Sequence, residues 1–515
     1  MKQIIVIEYI INLLILLTFH MHMFQLNSYF FKKHFRWLKT NTRKIIIQIL
    51  MIIFPTALLS SSNTITNVLS IIFLAFSIFY NFPRKKAKIP FKITNRVKRM
   101  FITEVILILV IFTISKFKNF IFIKLCILNI SSIFIALIAN FINSPIEYFG
   151  KKHYINQAKK ILNEMPNLIV IGVTGSYGKT SVKNFLSKTL SVKYEVLTTP
   201  KNYNTTMGVV KTIREELKPI HQVFICEMGA TNIGDIKEIC DIVKPRIGII
   251  TAIGPQHLES FKTIDNIIKT KFELADSVKE NGGVTFINYN NEYLANQKIE
   301  NNIFTYGVSN KALNYNAYNL TSSSKGLSFN MLDKNSNKEI EFKTKLIGKH
   351  NVINLTAAIG VANYLGIPLE KLVYPIREIK SVEHRLQLIS RGNLTIIDDS
   401  YNSNPISSKS ALDTLSEFEG TKIIVTPGLI ELGNDERKYN YEFGKYMTKI
   451  CDYIFLVSSE SSKSILEGIS DTDFSKERVF NVDAPQEAIM QISNLEISGQ
   501  ITVLLENDLP DNYNL

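Results

Sequence analysis

The residues of this chain with the clearest chemical meaning lie in one run, VIGVTGSYGKTSVKNF, from Val170 to Phe185. An apolar stretch leads into Gly175, Ser176, Tyr177 and Gly178, and Lys179, Thr180 and Ser181 follow where a helix would open, reaching about Leu190. Two glycines allow a sharp turn in which successive backbone N–H groups and the start of the helix face one centre. Such a centre attracts phosphate oxygens. Lys179 would neutralise the outer phosphates of a nucleotide, and the Thr180 hydroxyl would ligate Mg²⁺. The general form GxxxxGK[ST] is not met, because Val173 stands at its first glycine; the shorter TGxxGKT fits. A lysine at a helix start behind two glycines also occurs in ordinary turns, so other residues have to decide.

Two further residues are of the right type. Glu227 ends the apolar stretch HQVFICE, and His257 follows IGIITAIGPQ. A carboxylate at a strand end suits a hard cation, and an imidazole is a less usual ligand for Mg²⁺. Read alone, either is equally a helix cap or a satisfied polar residue. The elements that would position them begin near Asn167, where apolar runs, turns and helical stretches alternate. That alternation predicts an α/β fold with a parallel sheet. TKIIVTPG, YIFLVS and QITVLLE read as strands of a second α/β domain, and KSILEGI and APQEAIMQI as its helices.

The front of the chain is of another kind. Residues 1–160 hold 22 Lys and Arg against three acids, Glu8, Glu104 and Glu147, while the remainder holds 37 against 42. The formal charge of +14 is thus concentrated in front, in loops between long apolar runs. This pattern points to a membrane surface and away from nucleic acid, since the rest is mildly acidic with no basic stripe. Ile4–Phe24, Ile45–Leu59, Ile65–Phe82, Phe101–Ser115 and Phe120–Ile142 are candidate spans, against a need of about 20 residues each. If all five cross, the basic segments KKHFRWLKTNTRK and RKKAKIPFKITNRVKR and the lysines at 151, 152, 159 and 160 share one side, with the SSSNT and KFKN turns on the other. The excess of positive charge on the inner side then places everything after about residue 144 in the cytosol. A cleaved signal peptide would explain only the first run. Cys126, Cys226, Cys240 and Cys451 have no CxxC spacing, so neither a disulfide framework nor a zinc site is suggested.

Beyond the glycine turn, TTPKNYNTTMGV, VFICEMGATNIGDI, IGIITAIGPQHLESFKTIDNIIKTKFEL, GKHNVINLTAAIGVA and IIDDSYNSNPISSKSALDTL follow in order. Together they resemble the Mur ligases, the ATP-dependent amide ligases of peptidoglycan precursor synthesis. DDSYNSNP and IELG resemble the members that add D-Ala-D-Ala to a muramoyl-peptide precursor. The resemblance covers about residues 165 to 460. It implies ATP and Mg²⁺, with Glu227 and His257 holding the metal beside Thr180. It implies that Lys271, in KTKFEL, is carbamylated by CO₂ and so becomes a carboxylate-like anion. It also implies that Asn351 and Asn354 serve the nucleotide, the second against the adenine, and that Arg385 and Asp399 reach phosphates and ribose from the C-terminal domain. Ordinary alternatives stand beside each: a solvated helix lysine for Lys271, a helix cap for Asn351, a turn cap for Asp398 or Asp399. Lys179 and Asp399 are far apart in sequence, so nucleotide would draw two domains together and exclude water.

The implied reaction is acyl activation. Transfer of the γ-phosphoryl group to a carboxylate gives an acyl phosphate, and an amine displaces phosphate, with Lys179, His257 and Lys271 in the catalytic set and no Cys or Ser nucleophile. Several features depart from the family. Membrane segments stand where members carry a small UDP-sugar-binding domain. TPGLIELG stands where GDMxELG is usual, and the DNPR motif of the diaminopimelate-adding members is absent, as ELGNDERK shows. The acceptor could therefore be a different, lipid-linked carboxylate. A membrane synthetase of the poly-γ-glutamate type and a non-catalytic membrane scaffold are the other classes. The expected architecture is an all-α transmembrane region over 1–150, a P-loop-type parallel-sheet ATP domain over 151–380, and a Rossmann-like α/β domain over 381–515. A bacterial multi-pass membrane protein with cytoplasmic ligase domains is the expected setting.

Overall fold

Strands buried on both faces read as unbroken apolar runs, and helices apolar enough to meet lipid read as longer ones. The chain contains both kinds, in separate units. The structure, a computed structural model, describes residues 1–61, 63–82, 90–114, 121–200, 203–297, 302–334, 336–401, 403–457 and 460–507. The KFKN turn, Ser115, Phe120, residues 84–89 of the second basic segment, Ser62, residues 201–202 of TTPKNYNTTMGV and Asn402 of DDSYNSNP lie outside the described residues. Two compact units separate at Lys152/His153.

The first unit is helical: α1 (Lys2–Leu26), α2 (Phe31–Thr40), α3 (Thr42–Leu58), α4 (Thr64–Asn81), α5 (Asn95–Ile114) and α6 (Ile121–Asn163), which runs past the unit's end. Among the described residues, four segments are long and apolar enough to cross a membrane: Lys2–Leu26, Thr42–Ser61, Thr64–Asn81 and Ile121–Asn163. The expected run Phe101–Ser115 falls on α5, which places Arg96, Lys98, Arg99 and Glu104 within its 20 residues and is not in that set. Polar side chains tie the apolar helices together. Asn12 of α1 donates to Asn129 of α6 at 3.2 Å and accepts from Ser77 and Asn81 of α4 at 3.3 and 3.4 Å, while Gln48 of α3 donates to Asn81 at 2.9 Å. In an apolar surrounding such bonds hold helices together, at roughly 0.6 kcal/mol each on average.

The second unit begins its sheet with β1 (Ile169–Thr174), followed by α7 (Lys179–Leu190), β2 (Val196–Thr198), α8 (Thr206–Glu215), β3 (Val223–Glu227), α9 (Asp235–Val243) and β4 (Ile247–Ile250). Then come α10 (Leu258–Phe261), α11 (Ile264–Glu280), β5 (Val284–Asn288), α12 (Glu292–Ala295), β6 (Ile303–Val308), β7 (Tyr315–Ser323), β8 (Gly326–Asp333), β9 (Lys338–Thr344), α13 (His350–Tyr364) and α14 (Leu369–Arg377). They build one nine-stranded sheet in the order β2-β3-β1-β4-β5-β6-β7-β8-β9, parallel to β7 and antiparallel beyond. β1, the first strand made, lies between β3 and β4. A strand order that reverses there leaves a crevice at the carboxyl ends of the strands, where α/β sheets bind ligands. α13 is apolar on nearly every side and is accordingly buried, in one core with Phe286, Tyr306, Phe329 and Phe342.

A second sheet follows from β10 (Gln387–Arg391), β11 (Leu394–Asp399), α15 (Pro405–Ser416), β12 (Thr421–Thr426), α16 (Glu436–Met447), β13 (Tyr453–Val457), α17 (Glu460–Ser470), β14 (Val479–Val482), α18 (Pro485–Ser493) and β15 (Ile501–Glu506). Its order is β10-β11-β15-β12-β13-β14, with only the β10/β11 pair antiparallel among the described strands. The α/β class with a helical front, expected from the sequence, is thus the fold observed.

Candidate functional site

β1 ends at Thr174, and the chain turns through Gly175 at φ +151° and Gly178 at φ +83° before α7 starts at Lys179. Both glycines are required by their surroundings. A Cβ on Gly175 would lie 2.0 Å from the Thr251 hydroxyl, and one on Gly178 would lie 2.8 Å from Oδ1 of Asn354. The Thr251 hydroxyl donates to the Tyr177 carbonyl at 2.5 Å, and the Ser176 N–H donates to the Ala252 carbonyl at 2.7 Å. The segment after β4 thereby holds the turn in shape. Lys179, Thr180 and Ser181 form the first turn of α7, where backbone N–H groups have no acceptor within the helix. That is an anion cradle. Lys179 folds back over it, its ammonium donating to the carbonyls of Gly175 at 2.7 Å and Ser176 at 3.2 Å. Burial lowers its pKa to about 8, and the charge of Glu227 works against that shift.

Register brings the acid to the cradle. Val173 of β1 pairs with Glu227 of β3, so the carboxylate emerges one strand over at the same edge. Oε1 of Glu227 accepts from the Thr180 hydroxyl at 3.1 Å and from Asn204 at 3.2 Å. Oε2 is buried, receives no hydrogen bond, and lies 3.0 Å from the ammonium of Lys183 in an ion pair. A buried carboxylate oxygen left without a hydrogen bond beside a threonine hydroxyl is a hard-oxygen pair that fits a divalent cation. Lys183, buried and donating to the Thr199 carbonyl at 2.8 Å, was not singled out in the sequence. Its position one turn beyond Lys179 on α7 was the available signal.

His257 stands at the N-terminus of α10 with φ +52° and no capping hydrogen bond from its side chain. Its Nδ1 contacts the carboxylate of Glu431, which also has positive φ, at +62°. Non-glycine residues held there are strained and tend to mark functional loops. Among the described residues no group of three or more His, Cys, Asp or Glu gathers as a metal cage. Lys271 is buried on α11, 3% exposed, which removes the solvated-lysine alternative. Burial first, and then the charge of Lys179, lowers its pKa to about 7. Asn351 lies inside α13, donating to the Ile347 carbonyl at 2.8 Å, and does not cap that helix. Asn354 donates to Asn351 at 3.4 Å and faces the Gly178 turn.

From the second sheet, Arg385 lies with its guanidinium 4.5 Å from the centre of the Tyr401 ring. Its charge is felt at Lys179, His350 and Asp399, so the loop before β10 faces the cradle. Asp399 accepts from the Leu386 N–H at 3.2 Å, and Asp398 is held by His384 at 2.8 Å and by Ser400. Burial raises the pKa of Asp399, and also that of Glu506, its register partner on β15, which accepts from Ser403. Glu506 has no local signal in the sequence, while Thr251 in IGIITAIGPQ and Glu431 in IELG lie within quoted motifs but were given no role.

The geometry and the sequence agree on the relatives. Residues 173–362 match the Mur ligase middle domain, and residues 384–505 match the Mur ligase glutamate ligase domain. The chain belongs to the Mur ligase family. UDP-N-acetylmuramoyl-tripeptide--D-alanyl-D-alanine ligases are among the relatives of this Mur ligase: that of Buchnera aphidicola subsp. Baizongia pistaciae is 32% identical over 55% of this chain and 61% of its own length. That of Bacillus subtilis is 32% identical over 56% and 62%. The chain thus spans about three fifths of the length of these relatives. MurF from Acinetobacter baumannii superposes with a TM-score of 0.62 at 25% identity, over 70% of this chain and 77% of that one. The Thermotoga maritima MurF ligase shares the fold with a TM-score of 0.63 at 22% identity, over 71% and 82%. Residues 1–152 precede both family matches.

Proposed function

We propose that this Mur ligase is an ADP-forming amide ligase that uses ATP to activate a carboxylate and adds D-Ala-D-Ala to a muramoyl-peptide precursor of the cell wall. The observation that carries it is the joining of the Gly175–Gly178 cradle to the Thr180–Glu227 pair at adjacent strand ends. A carboxylate is a poor electrophile. Lys179 and the first N–H groups of α7 bind the phosphates and stabilise the charge that moves as the γ-phosphoryl group passes to the acceptor. The amine then attacks the acyl phosphate and phosphate leaves. Thr180 and Glu227, with His257 turned from Glu431, would hold Mg²⁺, which supplies further stabilisation of phosphate charge. Arg385 and Asp399 close on the nucleotide from the second sheet, while Asn351 and Asn354 form its wall.

Lys271 is the residue we assign to carbamylation. An amine with a pKa near 7 is about half neutral at neutral pH, and only the neutral nitrogen adds to CO₂, forming an N–C bond and releasing a proton. The anion produced would face Lys179, whose charge now disfavours the ammonium form. We place the protein in a bacterial membrane by its apolar helices, with the ligase domains cytoplasmic and no role for nucleic acid. Those helices favour a second reading of the acceptor, a lipid-linked carboxylate. The solubilised chain, given ATP, D-Ala-D-Ala and UDP-MurNAc-tripeptide, should release phosphate and form the pentapeptide. Turnover with glutamate as the amine, and none with D-Ala-D-Ala, would overturn the assignment.

A further inference from the structure

The helical unit contains a cavity of ≈ 390 Å³ between α1, α5 and α6, within the size range of small-molecule sites. Its wall is hydrocarbon except for Thr18 and Glu104. Leu13, Leu125 and Leu128 form a buried floor, while Leu14 and Leu109, 59% and 58% exposed, flank an opening on the outer surface between α1 and α5. Glu104 is 1% exposed, and among the described residues none donates a hydrogen bond to either of its carboxyl oxygens. The polar groups nearby are committed elsewhere. The Thr18 hydroxyl donates to the Leu14 carbonyl at 2.8 Å, Lys124 donates to the Phe112 carbonyl at 3.1 Å, and Arg99 pairs with Glu147 at 2.5 Å.

An ionisable side chain inside a membrane bundle is costly and marks a functional position when it faces a cavity. What this one lacks is a donor. A ligand that fills the cavity must be apolar over its length and must bring one hydrogen-bond donor to the depth of Glu104. A hydroxyl brings that donor without a charge, whereas an ammonium would add a second ion to desolvate. We propose that the cavity binds a single-chain lipid alcohol, which enters sideways from the bilayer between α1 and α5 and donates its hydroxyl to Glu104. The site is independent of the ligase reaction and rests on residues 1–152 being inserted in a membrane, which co-migration with nanodiscs reads separately.

The test uses the full chain in phosphatidylcholine nanodiscs with photoactivatable probes of one chain length, ending in a hydroxyl, an amine, a carboxylate or a methyl group. The alcohol should label residues 10–18 and 101–112 about tenfold more than the alkane, the ratio that one added hydrogen bond can supply. Excess unlabelled alcohol, and not alkane, should displace it, which tests the wild-type chain without reliance on any variant's fold. Glu104→Leu should reduce alcohol labelling to the alkane level and leave alkane labelling unchanged, and Leu128→Trp, which fills the floor, should reduce both. Equal labelling by alcohol and alkane, a preference for amine or carboxylate, or full labelling in Glu104→Leu would each overturn the proposal.

Discussion

Lys271→Met should make the ligase unit more stable, and by an amount that depends on pH. The wild-type ammonium sits on α11 among buried neighbours with Lys179 nearby, which lowers its pKa from 10.5 to about 7. At about 1.4 kcal/mol per unit that drop corresponds to roughly 5 kcal/mol of disfavoured charge. Because the folded pKa lies below the unfolded one, the unfolded chain binds more protons between pH 7 and 10.5. Stability therefore rises with pH across that window, and below pH 7 the whole cost is in force. Methionine has similar length and no charge, so the variant loses this dependence. Its advantage should be about 4 kcal/mol at pH 7 and about 2 kcal/mol at pH 9. Hydrogen exchange of the α11 amides, in bicarbonate-free buffer so that no carbamate forms, reads the opening free energy directly. An advantage that stays constant from pH 7 to pH 9, or a variant less stable at both, would refute the claim that a desolvated ammonium is what Lys271 contributes in the unmodified chain.

Three further substitutions address the cradle and the acid. Lys179→Ala should abolish substrate-dependent phosphate release in a coupled phosphate assay, and undiminished turnover would contradict its role over the turn. Gly178→Ala forces a Cβ to 2.8 Å from Asn354 Oδ1 at φ +83°. It should cost about 1–2 kcal/mol of stability and abolish nucleotide binding in calorimetry; wild-type affinity would show that the turn is not a binding element. Glu227→Gln leaves Lys183 buried without its counter-charge, an arrangement that costs about 3–5 kcal/mol. The double variant with Lys183→Met should recover much of that loss in thermal unfolding, and equal stability of the single and double variants would mean that the pair is not coupled.

How much of this was legible in the sequence depends on how local each cause is. The turn at Gly175–Gly178 could be read because its reason is a few residues long: two positive-φ positions, then a helix. NVINLTAAIGVA could be read as a helix, and the burial of α13 follows from its being apolar on nearly every side. The run Phe101–Ser115 was read without its flank. Counting apolar residues from Phe101 set aside Arg96, Lys98 and Arg99, which the same helix carries one turn earlier. Lys183 and Lys271 were missed or left open as solvated for a common reason: helix sequence shows spacing but not what the helix packs on, and both lysines are buried only because neighbouring segments close over them.

The remaining site residues follow from strand order, which no local pattern encodes. Glu227 reaches the cradle because β3 pairs with β1 in a register that sets it beside Val173; a one-residue slip would send its side chain to the other face. Thr251 reaches the turn because β4 flanks β1 on the opposite side. His257 and Glu431 meet across 174 positions of sequence, each at a strained backbone angle. Such strain persists only where the surrounding fold holds it. The loop TPGLIELG departs from the family's usual sequence before Glu431 and keeps the ELG that supplies the partner of His257. Replacing Glu431 by Gln should weaken that hold and change the Mg²⁺ dependence of phosphate release before it changes nucleotide affinity. Equal shifts in both would mean that Glu431 acts on the nucleotide and not through His257.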